Sequence, residues 1–259
     1  TSVTIASPPV VNFRLADRVT GAAIVGFGSR SQASGATIGT YPNLAFSMAK
    51  LIPAAGGSPS RWVNYIVTSV NATTGAESLT RPSTDNQGTL VDNGDGTYQY
   101  TFYRDVPGMA AKVAGLTAPA GSNKADLDDL TYDANATHRL SIQIAGNAPG
   151  TGTNTPNGVQ SVTGVPMSKP LNVIHDFVPA TGQAPAASAN RKMVANANCE
   201  SCHSTLGGLP GQDEASLLFH GGSRNDIEYC VVCHTEQRKY GRAEATYNST
   251  TRAFSGSTY

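Results

Sequence analysis

All four cysteines of the 259-residue sequence lie between residues 197 and 237, "ANCESCHSTLGGLPGQDEASLLFHGGSRNDIEYCVVCHTEQ", together with three of its five histidines. They form two C-x-x-C pairs, Cys199 with Cys202 and Cys230 with Cys233, and a histidine follows each pair at once, His203 and His234. Two thiols two residues apart with an adjoining imidazole make the attachment pattern of c-type haem. The sulfurs add to the two vinyl groups of one porphyrin, and the adjacent histidine serves as proximal ligand and tunes the iron's potential. Two haem c sites are therefore expected, with Cys199, Cys202, Cys230 and Cys233 as thioether partners and His203 and His234 on iron.

Two other chemistries use the same cysteines. Two C-x-x-C pairs could hold a structural zinc ion as four thiolates, or four cysteines could close two disulfides in an exported protein. The gap between Cys202 and Cys230 is longer than the usual zinc spacing, and zinc does not need the histidines that follow. At about one histidine per fifty residues, chance would place one after both pairs on the order of once in 2,500. The rival to electron transfer is thus an exported β-domain binding or scaffold module with zinc or disulfides at these positions.

Electron-transfer haems commonly carry a second axial side chain. His220, in "LLFHGGSRND", stands between the two motifs and precedes two glycines that would let a planar group approach the backbone. It is expected as a distal ligand. Two haems with histidine on both faces need four histidines, and the fourth could be His175, His138 or a residue beyond Tyr259. A strand histidine is more often a structural hydrogen-bonding group. Met193 is near the first motif, but a core-facing role suits it better.

The elements that must position these groups read as β structure. Charged residues make up 14% of the chain, and 18 Lys and Arg balance 18 Asp and Glu. A net charge of zero argues against nucleic acid or a polybasic membrane surface as partner. No stretch has the roughly 20 apolar residues of a membrane helix, so no membrane span is expected. The opening "TSVTIASPPVVNFRL" lacks the basic and apolar regions of a signal peptide. The ending "TYNSTTRAFSGSTY" closes no core, so the sequence is expected to continue. No hydrolase, P-loop or Rossmann fingerprint is present.

From Ser2 to about Ile144, short β-rich segments alternate with turn clusters. "VVNFRL" (10–15) leads through a turn to "AAIVGF". "AFSMAKLIP" (45–53) is a strand or a short helix. Alternation along "RWVNYIVTSV" (61–70) predicts Trp62, Asn64, Ile66 and Thr68 on one side and Val63, Tyr65, Val67 and Ser69 on the other. "TLVDNGDGTYQYTFY" (89–103) is a hairpin with a Gly-rich turn, and its "DNGDG" is turn chemistry rather than a calcium loop, since Tyr103 replaces the final carboxylate. "HRLSIQIAG" (138–146) and "KPLNVIHDFVPATG" (169–182) are strands flanking a surface loop or hairpin tip at 146–163. The fold class expected is mainly β: an antiparallel Greek-key sandwich or split barrel over 1–185. A loop-rich, partly helical c-type haem-binding segment, the start of a longer multihaem domain, follows over 186–259.

The segment "CESCHSTLGGLPGQDEASLLFHGGSRNDIEYCVVCH" resembles the first two haem sites of the OmcA/MtrC family of bacterial outer-surface decahaem cytochromes. "FSMAKLIPA", "RWVNYI", "DGTYQYTF", "THRLSIQIAG" and "VIHDFVPATG" are similar to that family's N-terminal β domain. The resemblance implies haem on the four cysteines, proximal His203 and His234, and distal His220. It also implies a place on the outer surface of the outer membrane. There an outer-membrane electron conduit would be one partner, and extracellular acceptors such as metal oxides and flavins the others. The chain would be an electron carrier, and the complete protein a candidate terminal metal reductase. It departs from the family in carrying two haem motifs only, and in a longer spacer before His220.

Overall fold

A computed structural model of the chain describes residues 1–155, 162–192, 194–242 and 246–255. Part of the 146–163 loop and Met193 therefore lie outside the described residues. The first sheet has the order β1 (Ser2–Thr4), β2 (Val10–Arg14), β8 (Thr97–Thr101), β7 (Thr89–Asp92). The second has the order β10 (Leu171–Phe177), β9 (His138–Ile144), β3 (Leu44–Ile52), β4 (Arg61–Asn64), and all of these pairings are antiparallel. A small ribbon, β5 (Thr68–Val70) with β6 (Glu77–Leu79), and a helix α1 (Met109–Gly115) belong to the connections. Pairing β2 with β8 and β3 with β9 requires the chain to cross between sheets, the connectivity of a Greek-key sandwich rather than a meander.

The two sheets face each other across an aromatic core. Phe46 of β3 stacks on Tyr100 of β8 with ring centroids 3.8 Å apart, and Phe13 of β2 lies 5.9 Å from Phe46 and 5.2 Å from Tyr98. Period-2 alternation sends Leu44, Phe46 and Met48 of β3 and Leu140, Ile142 and Ile144 of β9 into this core. One polar lock sits inside it. Asp85 accepts from the Tyr100 hydroxyl, from the Arg104 guanidinium at 3.1 Å and from the Arg104 backbone N–H at 3.1 Å, all buried. A carboxylate so enclosed is tolerable only because each lone pair has a donor.

The structure corrects two sequence expectations. Strand alternation along 61–70 holds only from Arg61 to Tyr65. There the Asn64 side chain accepts from the Ile66 N–H at 2.8 Å, an Asx turn that breaks the strand. Ile66 and Val67 then both enter the sandwich core, and pairing resumes at Thr68 in a different sheet. "AAIVGF" forms no strand, only a bridge between Ala16 and Ala23, because Gly21 and Gly26 hold positive φ and interrupt an extended run.

The central strands of the second sheet, β3 and β9, have almost no solvent face. Along β3 every residue from Leu44 to Leu51 is buried, including small outward-facing Ala45, Ser47 and Ala49. Their cover is the C-terminal segment, which comprises α2 (Asn196–His203), a 3-10 turn at Phe219–Gly222, the single-turn helix α3 (Ile227–Cys230) and a 3-10 turn at Glu236–Lys239. A last ribbon, β11 (Thr246–Asn248) with β12 (Ala253–Ser255), ends the described residues. No helix among them is long and apolar enough to cross a membrane.

Candidate haem-binding site

The C-x-x-C-H spacing becomes a geometric device once it is wound into a helical turn. Positions i, i+3 and i+4 share one helix face. The Cys233 N–H donates to the Cys230 carbonyl at 3.2 Å and the His234 N–H to the same carbonyl at 2.9 Å. Two thiols and one imidazole are thereby presented together. Asp226 starts this turn as N-cap, accepting from the Glu228 N–H at 2.7 Å. The first motif follows the same logic in α2, where Cys199, Cys202 and His203 occupy the same three positions.

The second motif opens into a cavity of about 440 Å³, a volume suited to a cofactor-sized ligand. Leu206, Phe219, Ile227 and Tyr229 supply apolar walls, while Cys230, Cys233, His220 and His234 supply the reactive groups. His220 and His234 meet there with ring centroids 6.4 Å apart and planes at 83°. Two imidazoles that share one metal ion, each nitrogen about 2 Å from it, stand at about this separation. The donor set and the apolar slot therefore fit a porphyrin held by two thioethers and two imidazoles.

Backbone chemistry explains how His220 reaches that place. His220, Gly221 and Gly222 all have positive φ, at 50°, 68° and 78°. A histidine in the left-handed region is uncommon and concentrates at functional sites. Gly222 has a second reason to be glycine, since a Cβ there would stand 2.7 Å from the Pro210 Cδ. The glycine pair thus shapes the turn that delivers the imidazole.

Burial disfavours the charged forms of the His220, His234, Cys230 and Cys233 side chains. Burial, with the Arg224 guanidinium and then His234 adding to it, lowers the pKa of His220. Burial, then Arg238 and Arg224, lowers that of His234. A neutral imidazole is the form that binds metal. Burial likewise raises the Cys230 thiol and pushes the Cys233 thiol up to about 11. Arg238 donates to Nδ1 of His234 at 3.1 Å.

The segment is held to the second sheet by its outward-facing polar residues. Arg139 of β9 is fully buried and forms a two-pronged ion pair with Asp176 of β10, at 2.7 Å from both Nε and Nη2. The same guanidinium bonds Glu228 of α3 through its carboxylate at 2.9 Å and its carbonyl at 3.0 Å, and lies 4.3 Å from the Trp62 ring centroid. Asn172 of β10 donates to the Ser223 carbonyl and accepts from the Asn225 N–H, and Arg224 bonds Gln143 of β9 at 2.9 Å. Buried Gln237 behaves like one more strand. Its amide accepts from the Asn64 N–H at 2.8 Å and donates to the Asn64 and Leu127 carbonyls at 2.9 Å each. Val232 packs with Ala49, Leu51 and Trp62 below this network. None of these residues stood out in the sequence, because the Arg139, Ser141, Gln143 alternation reads as an ordinary wet strand face.

The remaining expected ligands are placed apart. In the first motif Cys202 and His203 are exposed and Cys199 is half-buried. Asn196 at the start of α2 accepts from the Ile227 N–H at 2.8 Å and so ties the two motifs together. His175 alternates with Asn172, Ile174 and Asp176, so its ring lies on the opposite side of β10 from the cysteine-bearing segment, stacked on Phe177 at 5.5 Å. That strand geometry keeps it from the cavity. His138 is buried between Ala136, whose carbonyl lies 2.9 Å from Nδ1, and the Tyr65 hydroxyl at 3.2 Å from Nε2. The structure thus brings together Cys230, Cys233, His234 and His220, and leaves out His138 and His175. Among the described residues no group of three or more His, Cys, Asp or Glu side chains is arranged to hold a metal ion.

Comparison with known proteins follows the same lines. Residues 191–256 match the family described as outer membrane cytochrome MtrC/MtrF-like, domains II/IV. The chain is 33% identical over 195 residues to a multiheme cytochrome MtrC of Shewanella baltica (strain OS185), covering 74% of this chain and 22% of that protein. Among solved structures it is similar in fold to MtrC of Shewanella baltica OS185, with a TM-score of 0.54, 23% identity and coverage of 92% of this chain and 29% of that one. It is also similar to the outer membrane decaheme cytochrome OmcA, with a TM-score of 0.50, 23% identity and coverage of 91% and 29%. The chain spans about a fifth of the length of the curated relative.

Proposed function

Because the chain belongs to the OmcA/MtrC family, we propose that it is an electron-transfer module carrying two covalent haem c groups at the outer surface of a bacterial cell. When bound, haem supplies a one-electron iron couple whose potential its ligands and surroundings set. Cys230 and Cys233 would anchor one group, His234 and His220 would hold its iron, and Leu206, Phe219, Ile227 and Tyr229 would shield it from water. Cys199, Cys202 and His203 would hold the other, in a more exposed setting.

One observation carries this reading: a C-x-x-C-H turn and a separate histidine face each other at 6.4 Å across an apolar cavity. The division near residue 185 belongs to the same proposal, with residues 1–185 as a β domain and 186–259 as the start of a haem domain. So do the outer-membrane conduit that would deliver electrons and the extracellular acceptors, metal oxides or flavins, that would receive them. The test is maturation in a host that exports the chain and attaches haem. Intact mass should equal the polypeptide plus two porphyrins, Cys230→Ala with Cys233→Ala should remove one, and His220→Ala should abolish the two-imidazole spectrum of that one. A matured protein with the bare polypeptide mass overturns the proposal.

A further inference from the structure

A second cavity, of about 300 Å³, adjoins the first, and the two share His220, Arg224, Cys233 and His234 as common walls. Its character is different. The far side is the β-domain loop Thr80–Ser83, and Arg81, Arg224 and Arg238 surround it. None of these three guanidiniums pairs with a carboxylate among the described residues; Arg224 bonds the neutral amide of Gln143, and Arg238 the ring of His234. An apolar slot with haem-type ligands thus opens into a polar basin with unneutralised cations. A porphyrin has the matching asymmetry, an apolar macrocycle with two carboxylates.

We propose that the basin takes these carboxylates, with Arg81, Arg224 and Arg238 as their partners, so that the β domain supplies part of the haem site. This rests on the haem reading of the second motif. The Arg238 contact adds an argument. A guanidinium has donors only, so its bond to His234 requires a lone pair on Nδ1. An imidazole that ligates through Nε2 carries its proton on Nδ1 and has no acceptor left to offer. Loading the site therefore releases Arg238, and a carboxylate is the charge-assisted, two-pronged acceptor that suits it.

The experiment uses the full chain with all four cysteines replaced by alanine, titrated with ferric protoporphyrin and with its dimethyl ester in the same solvent. Binding at this cavity is the part lost in His220→Ala. The free acid should bind about ten-fold more tightly than the ester, two partly exposed ion pairs contributing. The ratio should fall to about two-fold or less in Arg81→Gln with Arg238→Gln, and be retained with lysine at both positions. Thermal melts confirm that each variant is folded. Equal binding of acid and ester, or a ratio indifferent to the arginines, overturns the carboxylate assignment alone. If neither porphyrin shows a His220-dependent component, the haem reading of the cavity fails and takes this inference with it.

Discussion

Replacing Arg139 by methionine tests whether the cysteine-bearing segment and the sandwich are one folded unit. The side chain is fully buried, and its removal leaves Asp176 with the Asn190 amide at 2.8 Å and Glu228 with Lys192 at 3.7 Å, the two carboxylate side chains being only 12% and 22% exposed. Breaking a buried ion pair by removing one partner costs about 3–5 kcal/mol, since the other charge is left unpaired. Both carboxylates here keep an edge in water and can partly rehydrate, which puts the cost near the lower end, about 3 kcal/mol. The lost stacking on Trp62 adds a smaller amount, about 0.5–1 kcal/mol. At about 2–4 °C per kcal/mol for a chain of this size, the Tm should fall by about 7–16 °C. Circular dichroism melting measures it. Hydrogen exchange should show faster amides in α3 as well as in β9 and β10, because the three share the guanidinium. A fall of less than about 2 °C, or exchange that quickens only in the strands, would refute the claim that Arg139 fastens the segment.

Other measurements probe neighbouring parts of the argument. Burial lowers the pKa of His138 below the ordinary 6.5, so the unfolded chain takes up a proton first. His138's contribution is full above about pH 6.5 and is lost as pH falls below it toward the folded-state value. Urea midpoints at pH 7.5 and 5.0 should therefore differ less in His138→Gln than in the parent. Gln237→Leu leaves the Asn64 N–H and two buried carbonyls without partners, at about 1–3 kcal/mol for each stranded group. It should sharply accelerate exchange of the Asn64 amide. Gly222→Ala forces a left-handed alanine, costing about 1–2 kcal/mol, and sets its Cβ against Pro210. In the matured protein the two-imidazole spectrum of one haem should weaken, while both attachment masses remain.

Much of this was legible in the chain itself. The hairpin over 89–103 is observed as β7 and β8, with the Asp92, Asn93 and Asp95 side chains bonding within the turn. The strands at 138–144 and 171–177 pair antiparallel as their alternation suggests. The two C-x-x-C-H motifs were readable as candidates because the covalent chemistry proposed for them demands fixed residue types at fixed spacing. What stayed hidden depends on what covers a surface. Alternation in "HRLSIQI" separates two faces but does not say that both are buried. Asn172, Gln143 and Gln237 are common polar residues whose importance comes only from the backbone groups they meet. The break at Asn64 was likewise masked, since apolar residues on either side of a turn look like one continuous strand. His175 shows the converse: its residue type suggested a ligand, and its parity along β10 turned it the other way.

The two-sided burial of β9 constrains how this molecule can vary. Its even-numbered side chains complete the hydrophobic interior, and its odd-numbered ones clasp the cysteine-bearing segment. Removing a single residue inside the strand would exchange the two sets, driving a guanidinium among aromatic rings and aliphatic groups into the ionic clasp. The register of this one strand is thus shared by the hydrophobic interior and the contacts to the cysteine-bearing segment.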